Sequence, residues 1–191
     1  MRLSPRRAVV VTILLLVTHA AGAAHADLVR LRIEPADSSL SFHATSLLVN
    51  ADGRFHRFGG TVSVDPGDAT TARVSLTVDA HSIDTANAKR DNHLRSQDFF
   101  WADRYPRITF ESAGVDRDRA GGVTVVGRLT IRGVTRDIRV PTTIDLSSDG
   151  FVARGHFDIR RTDYEIAYQS RLNPVGDVVR VSFVFRGVRE R

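Results

Sequence analysis

The sequence predicts an all-β protein of eight or nine antiparallel strands, and two features of the chain support this prediction. Apolar residues recur at every second position, as in residues 29–33, 74–78 and 179–185, which is typical of strands with one buried face. Turn-forming stretches such as residues 65–68 and 148–150 separate these runs. Parallel α/β folds are excluded, because their strands would be apolar on both faces and would alternate with helices.

A sheet with one apolar face must bury it, either by closing into a barrel or by packing on a second sheet. Four small residues are in phase with the apolar face: Gly60, Gly127, Ala153 and Gly155. In a barrel of about eight strands, small inward residues leave room for one apolar ligand. Glycines at such positions are equally typical of bulges or barrel corners. The alternation alone therefore predicts a barrel or a sandwich, with or without a cavity.

Residues 1–26 have the pattern of an export signal. Arg2, Arg6 and Arg7 precede the apolar run of residues 8–17, and small residues follow, ending in the A-x-A motif of residues 24–26. The run is shorter than the roughly 20 residues of a membrane span. We therefore expect cleavage after this motif and a location in the bacterial periplasm or outside the cell. A stable membrane anchor is the less favoured alternative.

Residues 27–191 are then expected to form one domain. The chain has no cysteine, which excludes disulfides, a thiol nucleophile and sulfur-based zinc sites. Loss of the three N-terminal arginines lowers the formal net charge from +5 to +2. The other basic residues are dispersed along the strands, whereas a nucleic-acid surface would gather them beside exposed aromatic residues. We therefore expect no nucleic-acid partner.

The alternation stops at about residues 85–103, where a short helical segment is expected. Asp84 or Thr85 can cap a helix that runs to Arg95. This helix has too few apolar residues to cover a sheet, so we expect it at a rim of the barrel. The aromatic residues that follow it, residues 99–101, are expected to line the mouth of the barrel.

Nothing in the sequence specifies an enzyme. It contains no HExxH, GxSxG, P-loop or GxGxxG motif. Asp91 and His93 could in principle ligate a metal, but a helix pair between Asp91 and Arg95 is the simpler interpretation. Asp84, Asp91 and Asp98 could include a carboxylate pair for hydrolysis, but helix caps and salt bridges explain these residues equally well. We therefore predict no catalytic residue, no metal and no cofactor.

Several segments together resemble one known family. The most specific are residues 90–100, which read RDNHLRSQDFF, and residues 129–135, which read LTIRGVT. The other matching segments are residues 37–42, 53–55, 58–60, 82–85, 105–112, 127–128 and 175–177. Over nearly all of residues 27–187 the chain resembles the YceI-like, polyisoprenoid-binding family of exported bacterial proteins.

The resemblance implies an eight-stranded antiparallel, lipocalin-like β-barrel with a long lipid in its lumen. The expected function is an exported carrier or reservoir for a polyisoprenoid, an isoprenoid quinone or a fatty-acyl lipid, and a homodimer is possible by resemblance only. The alternatives are an enzyme that acts on such a lipid and a stress-related structural barrel without ligand. The candidate ligand-binding residues of the lumen and mouth are Phe42, Val78, Arg90, Asp91, His93, Leu94, Phe99, Phe100, Phe110, Val125, Leu129, Phe157 and Phe183.

Overall fold

The computed structural model describes residues 28–117, 122–147 and 149–190, and most of these residues are in strands. The predicted export signal, residues 1–26, lies outside the described residues. The strands are β1 (Val29–Ile33), β2 (Ser39–Ser46), β3 (Ala51–Phe55), β4 (Phe58–Asp65), β5 (Asp68–Asp79), β6 (Ile83–Asp84), β7 (Arg107–Arg117), β8 (Val123–Ile131), β9 (Val134–Leu146), β10 (Gly150–Arg160) and β11 (Val175–Arg189). The α-helix in the described chain is α1 (Ala88–Arg95).

The strands close into a ring. Antiparallel neighbours follow the order β1–β4–β5–β7–β8–β9–β10–β11, and β11 pairs back with β1. Three strands of this ring are interrupted. The strand β2 continues β1 along β11, β3 continues β4 along β2, and β6 continues β5 along β3. Pro35 explains the first interruption: it has no N–H for the ladder and begins a short 3-10 turn, Pro35–Asp37. The predicted eight-stranded antiparallel barrel is confirmed.

Side chains alternate between the interior and the outer surface. In β8, for example, Leu129 is buried whereas its neighbour Arg128 is exposed, as the period of two along a strand requires. Apolar side chains fill one end of the interior, where Val29 is buried and Leu31 and Val64 are completely so. We call this end, at which the β4–β5 hairpin turns, the plugged end.

The opposite end carries the longer connections, and we call it the mouth. It consists of the β2–β3 loop (residues 47–50), the segment 80–106 with α1, the β8–β9 turn (residues 132–133) and the segment 161–174. Arg132 joins two of these connections, because its Nη1 donates to the carbonyl oxygen of Phe99 at 3.3 Å and to that of Glu165 at 3.0 Å. The helical segment therefore lies at a rim of the barrel.

The barrel wall is not hydrogen-bonded over its full height between β9 and β10. These strands pair only between residues 142–146 and residues 151–155, and the rest of β9 pairs with β8 alone. Pro141 stands where the ladder stops, and its nitrogen has no hydrogen to donate. Beyond this point a depression separates residues 136–139 from residues 158–160.

Helix α1 begins later than the sequence predicts. Its N-cap is Asn87, whose side-chain oxygen accepts a hydrogen bond from the backbone N–H of Arg90 at 3.0 Å. Ala86 has a left-handed backbone, with φ of 55°, so a right-handed helix cannot run through it. The predicted caps were wrong: Asp84 accepts instead from the N–H of Ala86 at 2.8 Å, and Thr85 bonds to a residue inside the helix.

Candidate functional site

The barrel interior contains a cavity of about 470 Å³, a volume within the usual range for ligand pockets. Its lining is mostly apolar and comes from every strand of the ring, but Val29, Leu31 and Val64 of the plugged end are not part of it. The predicted site residues that line the cavity are Phe42, Val78, Arg90, His93, Leu94, Phe99, Phe100, Phe110, Val125, Leu129, Phe157 and Phe183. Their role in binding a ligand stays a prediction.

Four phenylalanine rings of the interior lie over glycines of a neighbouring strand: Phe42 over Gly53, Phe110 over Gly127, Phe151 over Gly187 and Phe183 over Gly155. A Cβ atom at Gly127 would stand only 2.6 Å from Cζ of Phe110 and 2.5 Å from the carbonyl oxygen of Glu111, so an alanine there would displace both the ring and the neighbouring strand. At Gly60 a Cβ atom would instead meet the backbone of Ser75. The in-phase glycines therefore allow close strand approach and, at Gly127 and Gly155, also make room for phenylalanine rings.

Aromatic rings form two groups between the cavity and the mouth. In the first, the ring centroid of Phe55 stands 5.9 Å from those of Phe42 and Phe100. The second group consists of His93, Phe99 and Tyr168, with centroid distances between 4.7 and 5.1 Å. All six rings line the cavity. Edge-to-face contacts of this kind favour defined ring positions, so the mouth end of the cavity has an ordered aromatic wall.

Trp101 lies in the mouth segment 80–106 but is not part of this wall, because it does not line the cavity. Its backbone is left-handed, with φ of 47°, which reverses the chain directly after Phe100. The Trp101 ring packs against Tyr105, with 5.8 Å between centroids, and the Arg104 guanidinium lies 4.7 Å from the Trp101 centroid. Trp101 therefore holds the turn, whereas Phe99 and Phe100 face the cavity.

Asp91 is the one predicted site residue that the structure does not bring to the cavity. It is buried, and its Oδ1 accepts hydrogen bonds from the N–H of Thr85 at 2.9 Å and from the Thr85 hydroxyl at 2.6 Å. The expected helix pair with Arg95 was also wrong, because Arg95 donates to the carbonyl oxygens of His81 and Ile83. Asp91 and Arg95 both fasten α1 to the chain segment that precedes it.

Two arginines that line the cavity are held by oxygen atoms other than carboxylates. Arg90 donates to the hydroxyl and to the carbonyl oxygen of Thr85, each at 2.9 Å. Arg161 is only 4% exposed and donates to three carbonyl oxygens, those of Ile166, Val175 and Gly176. These bonds close the mouth segment 161–174 onto the start of β11. They also place positive charge beside an apolar cavity, where a polar or anionic headgroup would find donors.

Arginines on the outer wall have different partners. Arg180 donates to both carboxylate oxygens of Asp158, at 2.9 and 3.1 Å, and this bond holds the pKa of Asp158 below its usual value. Similar exposed pairs with aspartate are made by Arg57, Arg117, Arg139 and Arg154. Exposed pairs contribute little to stability. The outer wall therefore presents paired positive and negative charges. Arg90 and Arg161 at the mouth instead donate to backbone carbonyl oxygens.

Two further groups near the mouth have shifted pKa values. A hydrogen bond to His56, together with bonds from the N–H of Ala86 and from Arg54, lowers the pKa of Asp84 to about 2. Burial raises the pKa of Tyr164, which lines the cavity, to about 12. At neutral pH, Asp84 is therefore charged and Tyr164 is neutral.

Among the candidate catalytic or metal-binding residues Asp84, Asp91, His93 and Asp98, the structure pairs only His93 with Asp98. Nε2 of His93 lies 3.0 Å from Oδ2 of Asp98 in a partly exposed pair, whereas Asp91 faces Thr85. Among the residues that the structure describes, no group of three or more His, Asp or Glu side chains could hold a metal ion. No helix in this part of the chain is long and apolar enough to cross a membrane.

The sequence analysis missed the part of the site that the mouth segment 161–174 contributes. Arg161, Tyr164, Ile166 and Tyr168 line the cavity, and none of them was a candidate. A signal was available, because the alternation of β10 ends at residue 160 and resumes only at residue 179. The gap at residues 161–178 is nearly as long as the segment 85–103, for which the sequence predicted a helix at the barrel rim.

Comparison with known proteins identifies the family of this barrel. Residues 31–186 match the family model of the YceI-like domain. The chain belongs to the YceI-like domain family. The resemblance carried by residues 90–100 and 129–135 is thereby confirmed. A UPF0312 protein of Yersinia enterocolitica is 31% identical over 147 residues, which cover 73% of this chain and 74% of that protein.

Other relatives of this YceI-like domain support the same assignment. A UPF0312 protein of Staphylococcus aureus is 39% identical over 116 residues, or 60% of this chain and 63% of that protein. The solved structure of Burkholderia cenocepacia BcnA is 25% identical and covers 81% of this chain and 98% of its own, with a TM-score of 0.75. A polyisoprenoid-binding domain from Saccharophagus degradans shares the fold at 19% identity, with a TM-score of 0.65 over 85% of this chain and 99% of that one.

Proposed function

We propose that this YceI-like domain holds a long apolar lipid in its barrel and acts as an exported carrier or reservoir for that lipid. The observation that carries the proposal is the apolar cavity of about 470 Å³, whose basic lining residues, Arg90, His93 and Arg161, all lie at the mouth. The ligand class is a polyisoprenoid, an isoprenoid quinone or a fatty-acyl lipid. The polyisoprenoid-binding domain from Saccharophagus degradans, which has the same fold, supports this choice.

The energetics favour an apolar chain as the main source of affinity. Burial of about ten methylene groups contributes roughly 8 kcal/mol before the losses of association are subtracted. A hydrogen bond from Arg90 or Arg161 to a headgroup adds less, because the same donors are otherwise bound to water or to carbonyl oxygens. We therefore expect the cavity to determine affinity and the mouth to determine headgroup preference.

We infer a binding protein rather than an enzyme. Nucleophilic or acid–base catalysis needs two or more groups aligned on one reacting atom. At this mouth the carboxylate of Asp91 is bonded to Thr85, His93 pairs with Asp98, and Tyr164 is neutral. His93 and Tyr164 line the cavity, but the carboxylates of Asp91 and Asp98 do not.

Mass spectrometry of the native protein tests the proposal directly. The protein purified without detergent should carry a lipid mass that disappears after extraction with organic solvent. A wild-type protein that carries no lipid, and that takes up no fluorescent long-chain fatty acid when one is added, would contradict the proposal.

A matched pair of variants separates the cavity from the wall. Val125 lines the cavity and its neighbour Val126 does not. Val125→Phe should fill part of the cavity and reduce lipid retention about tenfold or more, whereas Val126→Phe should leave retention unchanged. Equal retention by the two variants, both folded by circular dichroism, would show that the ligand does not lie in the barrel.

Export is the second part of the proposal, and residues 1–26 support it. The wild-type protein expressed in a Gram-negative host should appear in the periplasmic fraction with Asp27 as its first residue. N-terminal sequencing checks this outcome. An intact Met1 in the cytoplasmic or membrane fraction would show that the segment is not a cleaved signal.

A further inference from the structure

Exposed apolar residues are concentrated at one place on the mouth. Leu47, Leu48, Val49 and Leu172 are 63 to 85% exposed. They account for four of the seven large apolar residues that are exposed in the described chain. We call these four residues the apolar tip. Large exposed apolar groups that cluster in this way mark contact surfaces more often than scattered ones do.

The two loops of the apolar tip are bonded to each other. The N–H of Leu47 donates to the carbonyl oxygen of Pro174 at 3.2 Å, and the N–H of Leu48 donates to Oδ1 of Asn173 at 2.8 Å. Within the first loop, the N–H of Ser46 donates to Oδ1 of Asn50 at 3.1 Å. These bonds fix the backbone and leave the leucine side chains pointing away from any partner in the protein.

The apolar tip is continuous with the cavity. Val49 is exposed and also lines the cavity, as do the apolar residues Ala44 and Ala51 of the flanking strands and Val175 at the start of β11. An apolar surface therefore runs from the interior of the barrel, past Val49, to the outside of the mouth.

The charge of the apolar tip differs from that of the wall. Residues 44–51 contain no charged side chain, and residues 168–176 contain a single one, Arg171. The outer wall, by contrast, carries an aspartate beside most of its arginines. Two segments without carboxylates, with one arginine beside exposed leucines, are compatible with an anionic lipid headgroup region, and the neighbouring Asp52 is paired with His43.

We propose that the apolar tip inserts into the surface of a lipid bilayer, so that the mouth of the barrel faces the membrane. This inference rests on the proposed function, because it supplies the route by which a long apolar lipid enters the cavity. Leucine side chains leave water on insertion, which is favourable in proportion to the area removed from water. A lipid could then pass along Val49 between bilayer and cavity without exposing its chain to water.

Vesicles of phosphatidylethanolamine and phosphatidylglycerol provide the test. The triple variant Leu47→Ser, Leu48→Ser and Leu172→Ser should partition onto them at least about tenfold less than the wild type in sedimentation. The matched control is Leu28→Ser with Val188→Ser, which removes two exposed apolar residues near the plugged end and should partition as the wild type does. All three proteins keep residues 1–26 in the same form, so that segment contributes equally.

Three results would overturn the inference. They are a wild type that does not partition, a triple variant that partitions like the control, and a wild-type dimer in light scattering that the triple variant loses. The last result would assign the apolar tip to contact between two copies. The lipid carried by the purified proteins is measured in parallel. A triple variant that keeps its lipid but does not sediment with the vesicles would show that membrane docking and lipid binding are separate properties. Absence of lipid in every protein would instead contradict the proposed function.

Discussion

The plugged end and the mouth of the barrel are built from different chemistry. At the plugged end, Leu31 and Val64 are fully buried among other aliphatic side chains. At the mouth, burial involves aromatic rings and an arginine, Arg161, whose donors satisfy three carbonyl oxygens. The plugged end therefore depends on dense aliphatic packing, whereas the mouth depends on hydrogen bonds that hold irregular backbone around an opening. We expect substitutions at the two ends to separate stability from ligand retention.

The largest effect on stability is expected at the plugged end. Leu31→Ala should lower the free energy of unfolding by about 3 kcal/mol, because a fully buried leucine leaves a cavity when it is truncated. Phe100→Ala at the mouth should lower it less, since Phe100 is only partly buried, but should reduce lipid retention more. Denaturant unfolding and native mass spectrometry measure the two quantities. The comparison fails if Leu31→Ala releases more lipid than Phe100→Ala under conditions where both are folded.

The next effect concerns the two classes of arginine. Arg161→Lys should lower the free energy of unfolding by about 2 kcal/mol, because the compact ammonium group cannot reach the three carbonyl oxygens that Nε, Nη1 and Nη2 of the planar guanidinium bond separately. Arg180→Lys on the outer wall should change it by less than about 1 kcal/mol, as is usual for exposed pairs. Thermal and denaturant unfolding of both variants provide the measurement. Equal losses would show that the carbonyl contacts at the mouth contribute no more than a surface ion pair.

Two glycines allow a smaller and more specific test. Gly53→Ala would displace Phe42 near the mouth, and Gly187→Ala would displace Phe151 near the plugged end. Each should lower the free energy of unfolding by about 1 kcal/mol through overpacking. Because Phe151 lies at the deep end of the cavity, only Gly187→Ala should shift binding towards shorter chains. A series of fatty acids of increasing length checks this, and an identical length preference in both variants would contradict it.

A further effect is absent at neutral pH and appears only at alkaline pH. The folded-state pKa of Tyr164 is about 12, above its ordinary value of 10.0, so the unfolded chain loses this proton first as the pH rises. The stability that this difference supplies is fully present below pH 10 and is lost between about pH 10 and 12. Tyr164→Phe should remove that part of the pH dependence of unfolding. If Tyr164→Phe left the pH dependence of unfolding unchanged in this range, other groups would be responsible for the loss of stability at alkaline pH.

The sequence was most informative where side chains follow the strand period. Leu129 and Phe183 could be placed in the interior, because a strand reverses its face at every residue. Asp91 and Trp101 do not line the cavity as expected. The carboxylate of Asp91 bonds to Thr85, and Trp101 has a left-handed backbone with its ring packed on Tyr105. Hydropathy patterns report neither a bond of this kind nor a positive φ. Arg161 was missed because its partners are carbonyl oxygens, which leave no trace in side-chain spacing.

The interruption of the β9–β10 ladder at Pro141 has a mechanical consequence. A fully hydrogen-bonded barrel has a fixed girth, because widening it means breaking ladder bonds along a whole strand. Residues 134–141 and 156–160 share no hydrogen-bond ladder. The half of the barrel near the mouth is therefore open along this seam, whereas hydrogen bonds close the half near the plugged end. The circumference of the half near the mouth can change while every existing strand pair stays intact. A ligand with a head broader than its chain would therefore be accommodated by elastic opening of the seam rather than by partial unfolding.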